Sequence, residues 1–181
     1  MTKRNKAHLG GKYADLHAAR DYLNASLELL TGRKRQKFML PGLFLLRHSV
    51  ELSLKEAACF AGAPTFGAKG RKPEAPWDSH RLSALIKAAA PFLSKAIGSD
   101  RTREVLDPAK RAAKWLDQVE RGDATRLRYD VDLLGAPNFN SKVGFDLDDL
   151  IDACTTFHEL TSGDDGVCYE LHRQWVEENL P

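Results

Sequence analysis

A chain of 181 residues, 43% hydrophobic and 29% charged, suffices for one folded domain with its own core and excludes a disordered segment. Its three cysteines, Cys59, Cys154 and Cys168, form no CxxC pair, which argues against a disulfide scaffold or a zinc site. The net charge of +2 conceals two opposed halves: residues 1–90 carry 16 Lys/Arg against 7 Asp/Glu, and residues 91–181 carry 11 against 18.

In chain order, the basic N-terminus MTKRNKAHLGGK lacks the apolar stretch of a secretory signal, and no apolar run nears the roughly 20 residues that span a bilayer. The expectation is a soluble, cytoplasmic protein without a membrane partner. Residues 13–30 place apolar side chains at 13, 16, 23, 27 and 30, the spacing of an amphipathic helix that stops at Thr31-Gly32. Pro41 fits the first turn of a second helix running to Ala61 and ending at Gly62. Residues 62–78, rich in Gly, Pro and basic side chains, read as a long loop. Ser79 reads as the N-cap of a third helix, broken or kinked by Pro91, and Asp107-Pro108 as the start of a fourth, ending at Gly122. In RLRYDVDL apolar and charged residues alternate, which predicts a short strand, with SKVGF as the return of a hairpin near 126–145. Asp146 then caps a helix that Gly163 ends, and VCYELHRQWVEENL forms the last. The predicted fold is all-α: an antiparallel bundle of five or six helices in one domain over 1–181, with a core at about 13–162 and an appended C-terminal helix over 166–180.

The second helix is apolar on two sides. Leu43, Leu46, Val50, Leu54, Ala57 and Ala61 fill one sector of its wheel, and Leu45 and Leu52 a second, roughly opposite. A helix of that kind is enclosed by neighbours, so its polar side chains must be paired or face a cleft. Arg47, His48, Glu51 and Lys55 are those side chains. Glu51 and Lys55 stand in the favourable i,i+4 order, which on a surface is worth a few tenths of a kcal/mol.

The pattern His48-x-x-Glu51-Leu52-x-Leu54-Lys55 inside an apolar helix resembles the first motif of the HEPN (higher eukaryotes and prokaryotes nucleotide-binding) domain family. Ser79-His80-Arg81-Leu82 resembles that family's start of the next helix, and Arg128-Tyr129 its later Arg-Tyr pair; together they cover about residues 13–162. The resemblance implies a helical bundle, often a homodimer, in a prokaryotic defence, toxin–antitoxin or stress setting. It implies RNA or a nucleotide as ligand, or a protein partner such as a nucleotidyltransferase or an antitoxin. Many members are metal-independent ribonucleases with an Arg-x(4–6)-His motif, its histidine transferring protons and its arginine stabilising phosphate charge. Here Arg126 and Arg128 are followed at 131–135 by Val, Asp, Leu, Leu and Gly, and neither His158 nor His172 has an arginine four to six residues before it. The expectation is therefore a binding module, with Arg47, His48, Glu51, Lys55, His80, Arg128 and Tyr129 around its groove. A ribonuclease built on His48 or His80 with Arg47 or Arg128, and a structural dimerisation protein, are the alternatives.

Nothing else in the chain specifies chemistry. Asp146, Asp148, Asp149 and Asp152 are accounted for by helix capping and an acidic face, so no metal is expected, and no glycine loop for a cofactor phosphate is present. The basic clusters Lys3/Arg4/Lys6, Arg33/Lys34/Arg35/Lys37 and Lys69/Arg71/Lys72 suit phosphate contacts, although such runs are more often solvated surface.

Overall fold

The structure, a computed structural model, describes residues 14–65, 75–120, 127 and 144–179. Among them are six helices: α1 (Ala14–Thr31), α2 (Met39–Phe60), α3 (Leu82–Ile97), α4 (Ser99–Glu120), α5 (Leu147–Ser162) and α6 (Val167–Asn179). The fold is an all-α bundle, and no helix is long and apolar enough among the described residues to cross a membrane. The basic clusters at 3–6 and 69–72 and most of the predicted hairpin lie outside the described residues; of the hairpin, Leu127, Gly144 and Phe145 are described and none is in a strand.

Helix α2 is the axis of the bundle and packs against α1, α3, α5 and α6. Its two apolar sectors explain this: Leu43, Leu46, Val50, Leu54 and Ala57 are buried, while Leu45 and Leu52 are half-buried. It crosses α1 closely at Gly42, where a Cβ would sit 2.6 Å from Leu30 Cδ2. With Leu30 at one end of the contact and Tyr22 meeting His48 further along, α1 and α2 run antiparallel. Gly62, at φ +89°, turns the chain out of α2, a conformation that costs a side chain strain. A second tie from α2 is buried: the Ser53 hydroxyl lies 3.1 Å from Nδ1 of His158 on α5. Burial, with the nearby Arg20 charge, holds the His158 imidazole below its ordinary pKa.

Helices α3 and α4 form a hairpin joined only by Gly98, whose φ of +77° makes the reversal. Two of its features differ from the sequence expectations. Pro91 and Pro108 sit inside continuous helices, so Asp107 caps nothing and α4 begins at Ser99. Burial outweighs proline's cost of roughly 3 kcal/mol: Leu85, Ala89 and Leu93 flank Pro91 on the core side, and Val105, Leu106, Ala109 and Ala112 flank Pro108. Likewise α3 starts at Leu82, not at Ser79. The Ser79 hydroxyl accepts from Arg81 N, and the first turn of α3 is capped from α4, where Asp117 accepts Ser83 N at 3.1 Å.

Helix α5 begins as its sequence requires, with Asp146 accepting Asp149 N at 3.0 Å, and ends at Gly163. Its acidic first turns are occupied: Arg111 of α4 donates to Asp149 at 2.6 Å and to Asp152 at 2.9 Å, and Trp115 Nε1 donates to Asp149 at 3.1 Å. Asp149 and Asp152 thus tie α4 to α5. Among the described residues no group of three or more metal-binding side chains exists.

Candidate functional site

Arg47, Glu51 and Lys55 recur at i,i+4 along α2 and line up on one strip of the helix. Arg47 Nη1 donates to Glu51 Oε2 at 2.5 Å, and Lys55 Nζ donates to Glu51 Oε1 at 2.8 Å. From the loop before α3, His80 Nδ1 lies 3.0 Å from the same Oε1. From the last turn of α4, Glu120 forms an ion pair with Arg47 Nε. Arg47 and Glu120 are each 2% exposed, whereas the His80 side chain is 65% exposed. The cluster therefore has a closed end, Arg47 with Glu120, and opens only at His80, since the Lys55 side chain is itself 11% exposed.

The two carboxylates differ in state. Burial alone would raise the Glu51 pKa; the Lys55 hydrogen bond and the Arg47 charge outweigh it and hold the acid at about 2, so Glu51 is an anion at neutral pH. For Glu120 burial wins. Arg47 pulls its pKa down, but Asp117 and Glu51 push it up again, and the carboxyl titrates at about 7. The reason is that Arg47 divides its charge between two acids, while Glu51 receives from Lys55 as well.

An ionised carboxylate only accepts hydrogen bonds, so the proton between His80 and Glu51 is on Nδ1. That tautomer leaves Nε2 as the imidazole's remaining polar atom, on an exposed side chain. A buried acid, itself clamped by two cations, thus orients an imidazole at the surface.

Of the side chains expected at the groove, Arg47, Glu51, Lys55 and His80 come together. His48 is placed differently: its half-buried ring meets Tyr22 of α1 edge-on at 4.7 Å and stacks on Phe44 at 5.9 Å. It lies about 100° round the helix from Arg47, and its ring turns to Tyr22 and Phe44 instead of Glu51. Arg128 and Tyr129 lie outside the described residues. Glu120 was missed, although its spacing carried a signal. Ala109, Ala113 and Leu116 repeat at three and four residues on the buried face of α4, and the next position of that stripe is Glu120, an acid where the pattern calls for an apolar residue.

No family model, no curated protein and no solved structure matches the chain.

Proposed function

We propose that this chain is a HEPN-like helical binding module whose ligand is a phosphate-bearing molecule, RNA or a nucleotide, held at the open end of the α2 cluster. The order of the His48–Lys55, Ser79–Leu82 and Arg128-Tyr129 motifs supports the family reading. One observation carries the site: His80, fixed through Nδ1 by the buried Glu51 anion, presents an exposed imidazole at the surface, with the buried Lys55 ammonium on the same Glu51 oxygen behind it. A preset imidazole makes a directed contact to a phosphate at little ordering cost. Arg47 and Glu120 are out of reach of such a ligand and tie α2 to α4 instead. The exposed cations Arg33, Lys34, Arg35 and Lys37, in the turn leading into α2, add sequence-independent attraction for a polyanion.

The test is anisotropy of a labelled single-stranded RNA at about 0.01 M ionic strength, where screening reaches about 30 Å. His80→Ala is expected to weaken binding about tenfold with helicity unchanged, and added salt to weaken it for both proteins. No binding at low salt ends the RNA reading; nucleotide binding measured by calorimetry with ATP then decides between a nucleotide and a protein partner.

The same dyad favours one second reading, a metal-independent ribonuclease in which His80 transfers the proton of a ribose 2′-hydroxyl. Labelled RNA incubated with chelator decides it. Cleavage that survives His48→Ala and disappears in His80→Ala supports the enzyme, and intact RNA removes it.

A further inference from the structure

The α3–α4 hairpin carries a groove between its two helices. Two adjoining hollows, of about 450 Å3 and about 300 Å3, share Ser83, Ile86 and Lys110 and together run from Ser99 to Asp117. At 1.5 Å per residue that is about 27 Å along α4. Four exposed cations line it, Lys87 on α3 and Arg103, Lys110 and Lys114 on α4. The one lining carboxylate, Asp117, is engaged with Ser83 N. Arg103 and Lys110 also meet Asp100 at 3.4 Å and Asp107 at 2.8 Å, but these are exposed i,i+3 pairs that contribute little and yield readily to another anion.

One end of this groove lies close to His80. Ser83, which lines both hollows, follows His80 by three residues, so their Cα atoms are at most about 11 Å apart. Across the groove, Asp117 stands one turn before Glu120, which pairs with Arg47 of the α2 cluster. The exposed imidazole and the near end of the groove therefore share one end of the hairpin.

The lining decides what the groove can hold. Ile86, Leu106 and Ala113 on its floor are 6%, 2% and 4% exposed, so little apolar surface is left for an amphipathic helix to cover. Among the described residues no aromatic ring lines it, so it offers nucleobases no platform for stacking. It does offer a row of cations, with the exposed Ser83 and Ser99 hydroxyls toward its two ends. Such side chains are the usual partners of phosphate oxygens.

We infer that the α3–α4 groove holds the phosphate backbone of single-stranded RNA, extending the His80 contact into a track. The inference rests on the RNA reading of the His80 site and gives its ligand a length, a strand in place of a lone nucleotide. At about 3.4 Å per phosphate in a stacked strand, 27 Å takes about eight. Backbone contacts of this kind set the path of the strand and carry no sequence information, so binding along the groove is indifferent to base sequence.

Anisotropy of a labelled uridylate dodecamer tests this on the full chain, with circular dichroism to verify folding. At about 0.01 M ionic strength, Lys110→Glu with Lys114→Glu is expected to weaken binding at least about tenfold. Each phosphate contact on a single strand contributes about 0.7 to the slope of log K against log salt, so losing two should make that slope shallower by about 1.4. The effect of His80→Ala should persist in the lysine variant, because the two sets of contacts share no partner. Affinity and salt slope untouched by the lysine substitutions overturn the inference and leave the His80 site standing. Binding lost in the lysine variant but indifferent to His80→Ala supports the groove and removes the His80 site instead. A wild type that does not bind the dodecamer at low salt overturns both. Displacement of the RNA by polyglutamate as readily as by unlabelled dodecamer would assign the groove to acidic protein segments and overturn the inference too.

Discussion

Glu51 gathers two cations and an imidazole on a single buried carboxylate, and its removal would strand Arg47 and Lys55 without their shared anion. Glu51→Ala is expected to lower unfolding free energy by about 3–5 kcal/mol in urea melts, the cost of an uncompensated buried charge. His80→Ala, on an exposed side chain, should cost under about 1 kcal/mol while weakening the ligand, so the two variants separate architecture from binding. The acids also set opposite pH limbs. The Glu51 pKa is depressed from 4.5 to about 2, so its contribution is present above pH 4.5 and lost as pH falls toward 2. The Glu120 pKa is raised from 4.5 to about 7, so it favours the fold below pH 4.5, and that advantage is lost as pH rises through 7. A shift of that size corresponds to roughly 3 kcal/mol. Glu120→Gln should therefore flatten the decline in stability between pH 4.5 and 7 and leave the acid limb in place. An unchanged decline in chemical denaturation across that range would show that other groups govern it. The position of Glu51 was legible in the sequence, because a charged strip on a doubly apolar helix must be paired. Glu120 as its partner was not, because Arg47 reaches it across 73 positions of chain, and no local pattern encodes such a meeting.

Among the helices, α1 and α2 show how little room the packing leaves. Gly42→Ala would put a methyl 2.6 Å from Leu30 Cδ2 and 2.7 Å from its Cγ, so the pair must separate or Leu30 must leave its rotamer. A loss of about 1–3 kcal/mol in thermal melts is expected. Asp146→Ala should cost about 0.5–2 kcal/mol by removing the α5 cap. Caps written in local sequence were read correctly at Asp146, Gly62 and Gly163. Pro108 misled the reading, because a local rule treats proline as a boundary, and Pro91, read as a break or a kink, does not break α3. Here the apolar residues on either side are buried in the same contact, and that burial keeps each helix whole. The start of α3 was misread for a related reason: its cap comes from Asp117, 34 residues away.

For the whole molecule, the opposed charges of the two halves become surfaces. The acids of α5 meet Arg111 of α4 within the bundle. Those of α6 remain at the exterior, while the α3–α4 groove presents four cations. RNA binding should weaken with salt. The Lys110→Glu/Lys114→Glu change is expected to leave the His80 contact intact, which anisotropy of the same labelled RNA would show.

By itself the sequence determined the class of fold and the helices that compose it, since a period near 3.6 with caps at its ends is a property of neighbouring residues. It also determined that α2 must be enclosed and its charges matched. Only the tertiary structure decided which charges match. It drew His80 and Glu120 onto α2 from distant segments and turned His48 toward Tyr22 of α1. The physical reason is that an ion pair depends on distance in space and on the depth of burial around it, and both are fixed only when all the helices have packed.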